Sequence, residues 1–349
     1  MADRLGIVTQ YQQSEVTQAA IHLAEYAKAR GTRTTIYGAP QATRNVAKAW
    51  DAKVVTAKQS QLAEWAGHCN KIIYTNVPSQ RELLAVQALG VETALLVDWE
   101  RLLPEHRGVV LSFDKVLFPY RCVASAVARK WCLSRVRPIL LPWDVPVPFT
   151  RARERVEPRQ VWAYFPMYDT QPKRLDQAVF KLMYRILVEV PHANIRVACG
   201  QSWSLLSRRI LKALRKDFGD RVDVVSHPNL MQRLLLFARS DLTVWMPRFE
   251  SFALIGLTSL CMGTPVISWD MRPQNEFLRA WKNAVLVPVR TAENWLGVPE
   301  IQGGYGDFSE LLIATLRDKP LLAKMRAQAL SGLESRRKQF EVGWNKFHC

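Results

Sequence analysis

Nowhere in its 349 residues does this chain hold an unbroken apolar run of the roughly 18 to 20 residues that a membrane-crossing helix needs. Its opening, MADRLGIVTQ, lacks the basic-then-apolar layout of a secretory signal. Both absences point to a cytoplasmic protein. Cys69, Cys122, Cys132, Cys199, Cys261 and Cys349 are scattered, with no C-x-x-C pair and no histidine at ligand spacing, which argues against a zinc site and against a disulfide framework. They read as reduced thiols, mostly small buried apolar side chains. Neither G-x-G-x-x-G nor G-x-x-x-x-G-K-S/T occurs, so a dinucleotide fingerprint and a P-loop have no support.

Carboxylates are the scarce charge. Against 48 Lys and Arg stand 31 Asp and Glu, a formal net charge of +17. Such a surplus creates a field that attracts polyanions, either nucleic acid or the anionic face of a membrane. With 48% hydrophobic and 23% charged residues the chain has the make-up of a folded globular protein. Its length suits two domains, each able to bury a core.

Periodicity orders the elements. RLGIVTQ reads as a strand, AAIHLAEYAKARG as a helix with Ile21, Leu23, Ala24 and Ala27 on one face and Gly31 as its stop, and TRTTIYG as a second strand. The rhythm continues through KIIYTNV, SQRELLAVQALG, VETALLVDW, KVLFPY and RPILLPW. It breaks over PWDVPVPFTRARERVEPRQ, whose prolines and clustered arginines have no period and mark a linker. It resumes with VWAYFP, NIRVACG, RVDVVSH, LTVWMP and AVLVPV, helices between them. Alternating strands and helices predict parallel sheets with right-handed crossovers. The expected fold class is α/β, two Rossmann-like doubly wound domains facing across a cleft. Their bounds are 1–145 and 159–325, joined by a linker at 146–158. A basic helical tail, 326–349, is available to pack back on the first domain.

The stretch RFESFALIGLTSLCMGTPVISWD, Arg248 to Asp270, has the apolar density of a core yet opens on a carboxylate between aromatics. A strand LTVWMP, a turn Glu250-Ser251-Phe252-Ala253 and a closing turn Gly263-Thr264-Pro265-Val266 follow one another. That order and spacing resembles the C-terminal-domain signature of GT-B glycosyltransferases. The preceding HPNLMQRLLLFARSDLTVWMP, the loop Arg272-Pro273-Gln274-Asn275-Glu276 and the joint ILLPWDVPVPF resemble the same family's flanking segments. The resemblance implies a nucleotide-sugar donor, a UDP-sugar before a GDP-sugar, and no metal, in keeping with the lack of an Asp-x-Asp motif.

It also implies residue roles. Glu250 would accept from sugar hydroxyls while Ser251, Phe252 and Ala253 offer amides to the diphosphate. Lys173 and Arg174 would match the charge of the leaving nucleotide. The family's second Glu is replaced by Thr258, so its ribose contact would pass to that hydroxyl or to Glu276. The loop Tyr11 to Ser14 would approach the donor.

For the acceptor half, VETALLVDW delivers Asp98 and Glu100 to a strand's carboxyl edge, where an inverting transfer needs a base. Asp98 is the first candidate. His22 and His106 read as structural or exposed. Arg121, Arg129, Lys130, Arg135 and Arg137, interleaved with Phe118, Tyr120, Trp131 and Trp143, form a patch for phosphates and exposed bases. In size, charge and fold the chain resembles phage DNA glycosyltransferases. The expected function is therefore sugar transfer to a hydroxymethylated base of double-stranded DNA, with no obligate protein partner. Two alternatives stand beside it: a peripheral glycosyltransferase on an anionic membrane surface, acting on a lipid-linked or lipopolysaccharide acceptor, and a non-catalytic nucleic-acid-binding protein on a GT-B scaffold.

Overall fold

A computed structural model describes residues 4–9, 15–38, 54–55, 61–131, 137–142, 160–167, 176–199, 205–226, 228, 230–247, 250–302 and 306–348. The expected linker at 146–158 lies outside the described residues. Two compact units emerge: Met1–Pro146 with Leu296–Val298 and Arg337–Cys349, and Val147–Trp295 with Pro299–Arg336.

In the first unit the elements run β1 (Arg4–Thr9), α1 (Glu15–Ala29), β2 (Arg33–Gly38), β3 (Val54–Val55), α2 (Leu62–Ala66), β4 (Lys71–Tyr74), α3 (Gln80–Gln87), β5 (Glu92–Leu96), α4 (Arg107–Val110), β6 (Lys115–Phe118), α5 (Arg121–Trp131) and β7 (Arg137–Leu140). The strands form one sheet in the order β3-β2-β1-β4-β5-β6-β7, with parallel pairing throughout. All four residues of β6 are buried, as expected of a parallel strand covered on both faces. Helix α3 starts on a capping box in which Ser79 and Glu82 satisfy each other's backbone amides.

The second unit repeats the plan: β8 (Val161–Met167), α6 (Asp176–Glu189), β9 (Ala193–Cys199), α7 (Leu205–Phe218), β10 (Val222–Ser226), α8 (Leu230–Ala238), β11 (Leu242–Val244), α9 (Leu254–Cys261), β12 (Val266–Trp269) and β13 (Ala284–Val287). Its parallel sheet has the order β10-β9-β8-β11-β12-β13. A hairpin of β14 (Thr291–Glu293) and β15 (Pro299–Ile301) follows, then α10 (Gly306–Arg317), α11 (Lys319–Gln328) and α12 (Leu333–His348). Both sheets are Rossmann-like and doubly wound, as expected, and the strand order reverses between β1 and β4 and again between β8 and β11.

The boundary expected at 325–326 falls inside the second unit, because α11 buries Leu322 and Met325 in that unit's core. Residues from Arg337 onward complete the first unit instead. Phe340, Trp344 and Phe347 of α12 are buried, and Tyr26 of α1 packs edge-on against Phe340 at 4.6 Å and Trp344 at 5.2 Å. Lys71 Nζ donates to the His348 carbonyl at 2.7 Å and Lys115 Nζ to the Phe347 carbonyl at 2.7 Å. These carbonyls end a helix and have no partner within it, so two cations there both satisfy them and complement the helix dipole. Glu92 pairs with both ammonium groups, at 3.4 and 2.6 Å. A Cβ at Gly343 would overlap the Leu140 carbonyl oxygen, so only glycine lets α12 lie this close to the end of β7.

Among the described cysteines, Cys69, Cys122, Cys199 and Cys261 are reduced thiols, the last three buried. Burial pushes the Cys69 thiol up to about 11, away from thiolate chemistry.

Two outcomes are expected. Burial lowers the His22 imidazole from 6.5 to about 4. Between those values the unfolded chain carries a proton that the folded chain refuses, so stability falls as pH drops through that window, by about 3 kcal/mol in full. Denaturant melts at pH 7 and 4.5 should show this loss in the wild type and a smaller one in His22→Met. Trp344→Ala, which empties a large buried site, should cost about 3 to 5 kcal/mol by the same measurement.

Candidate functional site

Doubly wound sheets bind ligands at the carboxyl ends of their strands where the order reverses. In the second unit that place lies beyond β8 and β11. From β11 the chain passes through Trp245, Met246 and Pro247 to Glu250, Ser251 and Phe252, all three 1% exposed, and then into α9. Glu250 Oε1 accepts the amides of Phe252 at 3.3 Å and Ala253 at 3.1 Å. Ala253 stands in the left-handed region at φ 53°. The sequence reading offered those amides to a diphosphate. In the fold, two of the three are engaged by the carboxylate that opens the turn, because amides this deeply buried need a partner.

The turn is pinned from behind. Ser259 of α9 bridges the Thr243 hydroxyl at 2.7 Å and the Thr264 carbonyl at 2.8 Å, and Thr264 Oγ1 donates to the Phe237 carbonyl at 2.7 Å. A Cβ at Gly256 would sit 2.6 Å from the Trp245 ring and 3.2 Å from Phe277, so α9 approaches β11 over a glycine. Thr258 is half-buried on the same helix. Glu276 ends a 3-10 turn, Gln274–Glu276, in the loop after β12, half-buried. The sheet thus gathers Glu250 and the Arg272–Glu276 loop at the carboxyl ends of neighbouring strands. Lys173, Arg174 and the Tyr11 to Ser14 loop lie outside the described residues.

In the first unit the strand expected over VETALLVDW ends at Leu96. Asp98 follows, 8% exposed, and Glu100 falls in the 3-10 turn Trp99–Arg101. Arg101 Nε reaches Asp98 Oδ2 at 2.9 Å. Asp98 and Arg101 line a cavity of about 270 Å³ beyond β4 and β5 together with Asn76 and His106, against walls that include Val77, Leu96 and Leu102. Glu100 is not among its lining residues. His106, read from sequence as structural or exposed, is half-buried and lines it. Its Nδ1 accepts the Leu103 amide at 3.2 Å, which leaves the ring proton on Nε2. Sequence reasoning missed Asn76, Arg101 and His106; only the i,i+3 pairing of Asp98 with Arg101 was there to be seen.

Arg121, Arg129 and Lys130 are exposed on α5. The aromatic residues assigned to the same patch are not. Phe118 and Tyr120 are 0% exposed and Trp131 is 3% exposed: Phe118 ends the fully buried β6, and Tyr120 and Trp131 lie at helical spacing from Val123 and Val127, which face the core. This corrects the expectation of an aromatic and basic stacking surface. Trp143 and Arg135 lie outside the described residues, as does the side chain of Arg137, whose backbone opens β7. A second basic face went unnoticed: Arg208, Arg209, Lys212, Arg215 and Lys216 of α7 are all exposed, opposite the buried Leu211 and Leu214. Among the described residues no group of three or more His, Cys, Asp or Glu could hold a metal ion.

No protein-family model matches the chain, and no curated protein matches it in sequence. Solved structures do match in fold. Anabaena Alr3699/HepE, in complex with UDP and glucose, superimposes with a TM-score of 0.72 at 12% identity, covering 99% of each chain. The pneumococcal O-GlcNAc transferase GtfA, in complex with UDP and GlcNAc, gives 0.75 at 10% identity over 99% of this chain and 98% of its own. A Listeria monocytogenes protein provisionally named a UDP-N-acetylglucosamine 2-epimerase gives 0.67 at 10% identity over 99% and 97%. This chain has the GT-B fold. At such identities the likeness is one of architecture, and it extends over nearly the whole length of both units.

Within the GT-B frame the α9 packing is tested directly. Gly256→Ala forces a methyl group against Trp245, and such overpacking should cost about 1 to 3 kcal/mol, read as a lowered denaturant midpoint with an unchanged slope.

Proposed function

We propose that the protein is a glycosyltransferase that moves a sugar from a nucleotide sugar, a UDP-sugar before a GDP-sugar, to an acceptor hydroxyl. The observation that carries this reading is the Glu250 turn at the strand-order reversal of the second sheet, where doubly wound units take nucleotides. HepE and GtfA, which share the fold, hold UDP with glucose and with GlcNAc, and this supports the assignment.

In the proposed reaction Glu250 has two tasks. Oε1 fixes the turn, and the carboxylate orients sugar hydroxyls. As UDP leaves, charge develops on the diphosphate, and Lys173 and Arg174 offset it. Thr258 and Glu276 share the ribose contact. On the acceptor side, Asp98 is the base candidate that lines a cavity. Its pairing with Arg101 holds it in place.

The acceptor is proposed to be a hydroxyl on an anionic carrier. A hydroxymethylated base in double-stranded DNA is the first reading, supported by the net charge and by the exposed cations of α5. The burial of Phe118, Tyr120 and Trp131 removes a surface on which bases could stack. That observation favours the second reading, an acceptor carried on an anionic membrane surface, to which a basic helix such as α7 is attracted without aromatic contacts.

The deciding experiment incubates the protein with duplex DNA containing 5-hydroxymethylcytosine or 5-hydroxymethyluracil and a panel of UDP- and GDP-sugars, then weighs the digested nucleosides. A sugar mass on the modified base supports the DNA acceptor. Donor turnover without that mass moves the acceptor to the membrane, and the absence of both donor binding and donor turnover overturns the enzyme reading. Glu250→Gln keeps an oxygen for the two amides but loses the charge; it should lower turnover about 100-fold or more while leaving the melting temperature nearly unchanged. Asp98→Asn should lower kcat by about 10² to 10⁴ if the group removes the acceptor proton, and pH-rate profiles of the two proteins check this.

A further inference from the structure

The hydrogen bonds around the first unit's cavity are unevenly distributed. Its lining acceptors are largely engaged from within the protein. Asn76 Oδ1 takes the Thr75 hydroxyl at 3.3 Å, His106 Nδ1 takes the Leu103 amide at 3.2 Å, and Asp98 Oδ2 takes Arg101 Nε at 2.9 Å. Two of its donors are not matched in the same way. The Asn76 amide nitrogen and His106 Nε2 make no hydrogen bond among the described residues, and both side chains line the cavity with the Arg101 guanidinium.

Each half-buried donor was stripped of part of its water by folding, which is costly unless a partner arrives. An occupant that brings acceptor oxygens pairs with both. Arg101 is held through Nε by a buried carboxylate whose side chain is 7% exposed, the arrangement that fixes a guanidinium plane for an incoming anion.

We infer that this cavity is an anion subsite that takes a carboxylate or phosphate group on a small organic molecule, with Arg101, Asn76 and His106 as its donors. Two charge-assisted hydrogen bonds from neutral groups and one cation distinguish it from a pocket for a neutral sugar, which would need open acceptors as well as donors. The binding itself does not depend on the glycosyltransferase reading; that reading only makes the occupant an acceptor or a part of one.

The test is isothermal titration of the full chain, without any nucleotide sugar, with glucuronate, glucose 6-phosphate and glucose. Both charged ligands, or one of them, should bind at least about tenfold more tightly than glucose; preference between them tells carboxylate from phosphate. Asn76→Asp retains the side chain's shape and the acceptor for Thr75 but replaces the open donor with a negative oxygen, so it should weaken the charged ligand about tenfold or more while circular dichroism stays unchanged. Arg101→Lys should also weaken it, without leaving Asp98 buried and unpaired. Glucose binding as tightly as glucuronate, or undiminished binding by folded Asn76→Asp, overturns the subsite. UDP binding measured on the same variants is expected to be unaltered, so failure here is separable from failure of the donor-site assignment.

Discussion

A parallel strand cannot turn straight back into its neighbour; the chain must first cross a face of the sheet, and a helix is the compact way to do so. That constraint shapes both units. Every strand of a parallel sheet ends at the same edge, so residues far apart in sequence collect there without any further device. Glu250 after β11 and the Arg272–Glu276 loop after β12 share one such edge. Asn76 after β4 and Asp98 after β5 share the other. The chemistry is distributed over short loops, while the hydrophobic crossovers behind them supply rigidity.

How rigid depends on local detail at α9. Apolar on nearly every side, this helix is held by a hydroxyl bridge through Ser259 and by the closeness that Gly256 permits. Glu250 is part of the same construction. A buried carboxylate that locks its own turn is a positioned charge, and positioned charges need little reorganisation when a ligand arrives.

Much of this was legible in the chain. The alternation of strands and helices, the Gly263 to Val266 turn and the carboxylate before α9 follow from periodicity and turn chemistry, which are local. What escaped depended on tertiary placement. Trp131 sits at the spacing of Val123 and Val127, but a basic neighbourhood suggested a surface role for it. The amides of Phe252 and Ala253 read as open because nothing in sequence says that a side chain folds back on its own turn. His106 acquired importance only through a cavity wall contributed by two strands. The expected tail boundary falls within α11, whose Leu322 and Met325 belong to the second unit's core, while the residues from Arg337 onward belong to the first unit.

The closing helix has a consequence for how the molecule is made. Its aromatic residues fill the core of the unit whose strands leave the ribosome first, and Lys71 and Lys115 wait for carbonyls at Phe347 and His348. The half synthesised earliest is therefore finished last. Until α12 emerges, that half exposes an apolar seam, and Lys71 and Lys115 lack the two carbonyls that complement their pairing with Glu92.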